Sequence, residues 1–207
     1  MTPEQNDDVL DQLDVPPDTL PAPPCEDGTD WPPRPSFPPL VTLAARQALF
    51  GIFLYKAQPT ASNPESIVVM GPWVANNIER VTIPQLVGKT GAPPGGVVLF
   101  HRAVSAQLVA LWQAWEDAGL LDRVLSWAGS YAPRFIRGST SVLSNHAFGT
   151  AFDINAPQNG LGAVPALKGH PGSTRELVGL ANQHGFFWGG HFPGRPDGMH
   201  FEAAQTQ

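Results

Sequence analysis

The sequence lacks the features of several large classes of protein. It has a single cysteine, Cys25, which excludes an internal disulfide and a multi-cysteine zinc site. No apolar run approaches the roughly 20 residues of a membrane-spanning helix, and the acidic start MTPEQNDDVLDQLD differs from a basic, then apolar, secretory signal. Any metal site must therefore be built from histidine and carboxylate side chains.

Charge is also scarce and unevenly distributed. Only 14% of the residues are charged, and nine of the eighteen acidic residues lie before the first basic residue, Arg34. The rest of the chain is slightly basic, without the run of like charge that is typical of a nucleic-acid-binding surface. Neither a glycine-rich phosphate loop nor a Gly-x-Ser-x-Gly motif is present, so phosphoryl transfer and serine hydrolysis have no support.

Composition divides the chain near residue 39. Residues 1–39 hold eleven of the 23 prolines together with the acidic block, and burial in such a segment cannot offset the entropy lost on ordering. We predict a disordered or extended leader over residues 1–39, with Trp31 and Phe37 as residues that can dock on the body. Residues 40–207 are predicted to form one globular domain.

The domain is predicted to mix short helices and strands. Apolar residues recur at helical spacing between residues 103 and 118, and Gly119 supplies a stop. Ser173 and Glu176 form a capping box for a second helix that ends at Gly185. Residues 66–70 and 97–101 are predicted as buried strands, and residues 40–57 as a short helix running into a strand, with 41–50 left open between helix and strand.

The chemistry is concentrated in two stretches. In the first, SNHAFGTAFDIN at 144–155, a strand over 150–155 would turn Phe152 and Ile154 to the core and Asp153 to the opposite face, with His146 arriving from the preceding turn. In the second, His200 and Glu202 share one face of a final strand. An imidazole and a carboxylate from the first stretch can thus meet a histidine from the second.

Two histidines and one carboxylate, with a fourth position open for water, are the ligand set of a catalytic zinc ion. Such an ion lowers the pKa of bound water from 15.7 toward about 7 and polarises a scissile carbonyl. A nearby carboxylate that is not a ligand would take up the proton and pass it to the leaving amine. Asp197, three residues before His200, fits this role.

The order of these motifs resembles a known family. Ser-x-His-x-x-Gly-x-Ala-x-Asp at 144–153 is followed by Trp-Gly-Gly at 188–190 and Asp-x-x-His-Phe-Glu at 197–202. This pattern is similar to that of the zinc D-Ala-D-Ala carboxypeptidases and L-alanyl-D-glutamate peptidases, which include VanY-like and VanX-like enzymes and several phage endolysins. The broader superfamily includes lysostaphin-type peptidases and the hedgehog signalling domain. The resemblance extends over roughly residues 100–203.

The resemblance implies a role for several residues. It places the zinc ligands at His146, Asp153 and His200 and the general base at Asp197. It also implies an upstream arginine that stabilises the developing oxyanion, and Arg134 and Arg137 are both candidates because the expected Tyr-Arg pair is interrupted.

Other residues near the two motifs have less defined roles. Ser144 is predicted to orient a ligand or touch substrate, and Tyr131 is a further candidate substrate contact. His191 is either a substrate contact or a loop residue. Glu202 either fixes the orientation of an imidazole or forms a surface salt bridge.

Together these features predict an α+β domain in which a small antiparallel sheet carries a zinc site and helices pack against it. The predicted function is hydrolysis of a peptide bond in the stem peptide of peptidoglycan, with exo and endo cleavage left open. The alternatives are a non-catalytic, zinc-stabilised binding module and another zinc hydrolase such as an amidase. We predict a monomer that acts on the bacterial cell wall, without a nucleic-acid partner or a membrane span, and that is released by a phage-type or non-standard route.

Overall fold

The structure is a computed structural model that describes residues 30–207. The prediction of a leader concerns mainly residues 1–29, which lie outside the described part. Within residues 30–207 the α-helices are α1 (Leu43–Phe50), α2 (Trp73–Asn77), α3 (Ser105–Asp117), α4 (Asn145–Phe148) and α5 (Val178–Gln183). None of these helices is long and apolar enough to cross a lipid bilayer.

Within residues 30–207, three small antiparallel sheets accompany these helices. The strands are β1 (Leu54–Ala57), β2 (Ile67–Met70), β3 (Ile78–Thr82), β4 (Val97–His101), β5 (Trp127–Gly129), β6 (Ala151–Ile154), β7 (Phe186–Trp188) and β8 (His200–Ala203). Strand β1 pairs with β2 and β3 with β4, while the other four form a sheet in the order β5-β6-β8-β7. The predicted mixture of helices and small antiparallel sheets is confirmed.

The longest helix, α3, lies within the predicted range 103–118. Its Leu108, Leu111, Trp112 and Trp115 are fully buried, which is the stripe that the helical spacing predicted. Gly119 follows the helix with a φ of 68°, a left-handed conformation that glycine adopts without strain. Residues 43–50, left open from the sequence, form helix α1, and Thr42 caps it by accepting the N–H of Ala45.

The four-stranded sheet has one apolar face and one polar face. On the apolar face the ring of Phe152 stacks between those of Trp127 and Phe201, with ring centroids 5.8 and 5.4 Å apart. Asp153 and His200, the next residue on β6 and the preceding residue on β8, point to the opposite face because side chains alternate along a strand. The aromatic core thus packs beneath the two strands that carry the polar residues.

Residues 133–135 run as a short extended segment between β2 and the approach to α4. The N–H of Ile67 donates to the carbonyl of Pro133, and isolated bridges join Ser66 to Arg134 and Phe135 to Leu143. This pairing places Arg134 between the first hairpin and the turn that leads to His146.

The described part of the proline-rich segment lies against the domain. The indole of Trp31 packs on Trp188 with ring centroids 5.4 Å apart, and the guanidinium of Arg175 lies 4.6 Å from the centroid of the Trp31 ring. Further along, the N–H of Leu40 donates to Oε1 of Glu202 at 3.1 Å. Residues 31–40 therefore contact the four-stranded sheet from its β7 side to its polar face.

Candidate metal centre

Local structure brings the first histidine to the polar face of the sheet. His146 lies in α4, and the hydroxyl of Ser144 caps this helix by accepting the N–H of His146 at 3.3 Å. Gly149 ends the helix in the left-handed conformation, where a β-carbon would lie 2.6 Å from a side-chain atom of Ile78. The chain can therefore turn directly from α4 into β6 and Asp153.

The three predicted ligands meet at one point. Asp153 and His200 are direct cross-strand neighbours on β6 and β8. Nε2 of His146 lies 3.1 Å from Nδ1 of His200 and 3.2 Å from Oδ2 of Asp153, and Nδ1 of His200 lies 3.0 Å from Oδ1 of Asp153. One ligand atom from each residue lies within 4.8 Å of the other two, so the triad can hold a metal ion.

The opposite edge of each imidazole is held by a hydrogen-bond acceptor. Nδ1 of His146 lies 2.6 Å from the carbonyl of Ser130, and Nε2 of His200 lies 3.0 Å from a carboxylate oxygen of Glu202. Since a carbonyl and a carboxylate only accept hydrogen bonds, these ring nitrogens carry the protons. The remaining nitrogens, Nε2 of His146 and Nδ1 of His200, face Asp153 and are the ring atoms that would bind a metal ion.

The electrostatics of the triad favour positive charge. Burial opposes protonation of His200, but its hydrogen bonds to Asp153 and Glu202 outweigh burial and raise its pKa to about 10. Burial would raise the pKa of Asp153, yet the two histidines hold that pKa well below its usual range. A cation between these three side chains is therefore stabilised, whether a proton or a metal ion carries the charge.

Asp197 lies next to the triad without being part of it. Its carbonyl accepts the N–H of His200 at 3.1 Å, and its N–H donates to the carbonyl of Gly189 at 2.9 Å. Its carboxylate oxygen Oδ1 is buried and has no hydrogen-bond partner within residues 30–207. Burial raises the pKa of this carboxyl, and the charge of His200 only partly opposes that shift. Asp197 thus presents a proton acceptor beside the point where the ligands converge.

The two candidate arginines lie in different surroundings. Burial lowers the pKa of Arg134, while the charges of Asp153 and Asp197 partly oppose that shift, so the guanidinium lies within electrostatic range of both carboxylates. Arg137 is exposed and forms an ion pair with Glu65 at 2.7 Å. Of the two, Arg134 is the one without an ion pair among residues 30–207.

The three candidate substrate contacts are also separated by the fold. Ser144 is buried as the cap of α4, and Tyr131 is half-buried near Gly149. His191 is fully buried beneath the proline-rich segment, where its Nε2 lies 2.8 Å from the carbonyl of Pro32. Burial lowers the pKa of His191 to about 4. Its position is that of a packing residue between residues 31–34 and β7.

Comparison with known proteins gives one match. Residues 137–203 match the family model described as D-alanyl-D-alanine carboxypeptidase. The predicted resemblance is confirmed. The matched segment contains the three ligand candidates and Asp197, and it supports a peptidase activity of the carboxypeptidase family. No curated protein and no solved structure matched the chain.

Two supports of the triad were not predicted from the sequence. The carbonyl of Ser130 is a backbone group, which no side-chain pattern reveals. Asn145, next to His146, donates its amide N–H to Glu202 and accepts from Arg46. A polar residue in the first turn of a short helix gave no signal beyond capping, so its link to Glu202 could not be inferred.

Proposed function

We propose that the protein is a zinc-dependent peptidase that cleaves a peptide bond in the stem peptide of peptidoglycan. One arrangement carries this proposal: three ligand atoms converge, and within electrostatic range of them lies a buried carboxylate oxygen of Asp197 that has no hydrogen-bond partner among residues 30–207. The donor set of two imidazole nitrogens and one carboxylate fits zinc. A site that only stabilised the fold would have no use for an additional buried carboxylate that lacks a hydrogen bond.

In the proposed reaction, three residues would bind the metal ion and a fourth transfers a proton. When bound by His146, Asp153 and His200, zinc would supply an activated water molecule and polarise the scissile carbonyl. The carboxylate of Asp197 takes the proton from the water at Oδ1 and delivers it to the nitrogen of the leaving amine. Its raised pKa makes it a stronger base than an exposed aspartate.

Arg134 supplies positive charge on the same side. Its guanidinium donates to the carbonyl of Phe135 at 3.2 Å and forms no ion pair within residues 30–207. We assign it to the oxyanion that develops on the substrate carbonyl or to a substrate carboxylate. Arg137, already paired with Glu65, is the weaker candidate.

The proposal is tested by hydrolysis of purified muropeptides with the zinc-loaded protein. Mass spectrometry of the products assigns the bond: loss of one alanine indicates exo cleavage of the terminal D-Ala, and cleavage between L-Ala and D-Glu indicates an endopeptidase. Release of the whole stem peptide from the sugar would indicate an amidase instead.

The Asp197→Ala variant is the control for catalysis. We expect it to bind zinc as the wild type does and to lose hydrolysis. Absence of hydrolysis by both proteins, with zinc bound, would support a zinc-stabilised binding module and contradict the peptidase. Undiminished hydrolysis by the variant would remove Asp197 from the mechanism.

A further inference from the structure

A buried arginine lies behind the triad, outside the segment that matches the carboxypeptidase family. Arg46 belongs to α1 and is only 3% exposed. Its Nε donates to Oδ1 of Asn145 at 2.6 Å, and an Nη1 hydrogen donates to the carbonyl of Leu143 at 3.1 Å. The guanidinium is thus fixed by two acceptors on the approach to α4.

The contact with Arg46 determines which way the amide of Asn145 points. Because its oxygen accepts from the guanidinium, its Nδ2 faces the other way and donates to Oε2 of Glu202. The other oxygen of this carboxylate accepts the backbone N–H of Leu40. Glu202 is only 2% exposed, so these donors replace the water that an exposed carboxylate would have.

Glu202 in turn determines the orientation of His200. Its Oε2 also accepts the hydrogen of Nε2 of His200, at 3.0 Å. With Nε2 held by Glu202, Nδ1 is the ring nitrogen of His200 that faces Asp153 and His146. An unbroken series of hydrogen bonds therefore runs from Arg46 through Asn145 and Glu202 to a predicted metal ligand.

We propose that Arg46 is a positioning residue for the metal centre. Through Asn145 it fixes the carboxylate of Glu202 in place, and its charge compensates that of Glu202 in a region closed to solvent. His200 is thereby oriented before the ion binds, so binding requires no further loss of conformational freedom of its side chain. This inference rests on the proposed function, because it concerns the metal site on which that function depends.

The test is zinc affinity, measured by competition with a chromophoric chelator, together with the absorption spectrum of the Co²⁺-loaded protein. Arg46→Met removes the charge and both hydrogen bonds while keeping an unbranched side chain. We expect it to weaken zinc binding by about 10- to 100-fold, the usual effect of losing a residue that supports a ligand. Arg46→Lys keeps the charge but lacks the planar fork of donors that reaches both acceptors at once, so we expect a loss of about three- to tenfold.

Thr42→Ala is the matched control. Thr42 caps the same helix by accepting the N–H of Ala45 at 3.1 Å, and no hydrogen bond joins it to Asn145 or Glu202. If Arg46 acts only by docking α1, weakening the helix through Thr42→Ala should reduce zinc affinity as much as Arg46→Met does. We expect Thr42→Ala to keep the wild-type zinc affinity and Co²⁺ spectrum.

Three results would overturn the inference. They are wild-type zinc affinity in folded Arg46→Met, an equal loss in Thr42→Ala, and an unchanged affinity in Arg46→Lys. The last result decides the matter if Arg46→Met does not fold. Failure of the proposed function is distinguishable, because it shows in the wild-type protein, which would then bind no zinc or bind zinc without hydrolysing muropeptides, whereas the inference is tested by the zinc affinities of the variants.

Discussion

The two sides of the metal triad are built in opposite ways. On one side, which faces α1 and α4, every polar side chain has a hydrogen-bond partner. His146 bonds to the Ser130 carbonyl, and His200 bonds to Glu202, which accepts from Asn145 and from the Leu40 N–H. On the other side, in front of the triad, a buried oxygen of Asp197 has no partner within residues 30–207. The satisfied side is a scaffold that holds geometry, and the unsatisfied side is where a substrate and a water molecule can complete the hydrogen bonds.

The largest expected effect comes from removing the charge of Asp197. Asp197→Asn keeps the shape of the side chain but cannot take up a proton, so kcat/KM should fall by about 10²- to 10⁴-fold. Because burial raises the pKa of Asp197, ionising this carboxyl costs more free energy in the folded protein than in the unfolded one. The variant should therefore be at least as stable as the wild type in chemical denaturation at pH 7. Activity within tenfold of the wild type would contradict the assignment.

The two arginines provide a paired comparison on the same side. Arg134→Met should reduce kcat/KM by about 10²- to 10³-fold, the scale of losing a donor to an oxyanion. Arg137→Met removes only an exposed ion pair with Glu65 and should leave kcat/KM within about threefold. Steady-state kinetics on one muropeptide checks both, and a larger loss in Arg137→Met would reverse the assignment.

A substitution at Gly189 tests how closely the front side is positioned. A β-carbon at Gly189 would lie 2.6 Å from the carbonyl oxygen of Asp197, so alanine must displace the segment that carries this residue. We expect Gly189→Ala to lower kcat by about 10²-fold with zinc affinity retained. Gly179→Ala is the control, since a β-carbon there meets nothing within 4 Å. Equal activity in the two variants would show that Asp197 tolerates displacement.

The smallest expected effect concerns the packing of the proline-rich segment. The pKa of buried His191 is lowered from 6.5 to about 4, so the folded protein disfavours its charged form. Its contribution to stability is complete above pH 6.5 and is lost as the pH falls toward 4, by about 1.4 kcal/mol for each pH unit. Between pH 7.5 and 5.0 the wild type should lose about 2 kcal/mol more than His191→Gln, which has no group that titrates there. Parallel pH profiles from urea denaturation would contradict this.

Much of the fold was predictable because its signals are local. The apolar spacing of α3 and the alternation of Phe152 and Asp153 each arise within one element, and the observed bounds fall within two residues of those predicted. The triad was also predictable, because Asp153 and His200 lie on adjacent strands and His146 lies in the short helix just before the first of them. In these places periodicity, motif and family resemblance all indicated the same arrangement.

The supporting residues were not predictable for a physical reason. Arg46 lies 99 positions before Asn145, and Leu40 lies 162 positions before Glu202. A charged residue on a short helix is usually solvated, so the sequence favours a surface position for Arg46. Arg134 and Arg137 could not be distinguished because the bridge between Ser66 and Arg134 is too short to leave an alternating pattern.

The hydrogen bond from Leu40 to Glu202 has a consequence for how this domain can be inherited. Its donor is a main-chain amide, which every residue except proline supplies, so substitutions of Leu40 by residues other than proline keep the donor. Recombination that joins the second half of the chain to the first half of another protein would remove this donor. Such a chimera would keep the candidate ligands His146, Asp153 and His200, and it would lose the Leu40 amide and the Arg46 guanidinium that support His200 through Glu202.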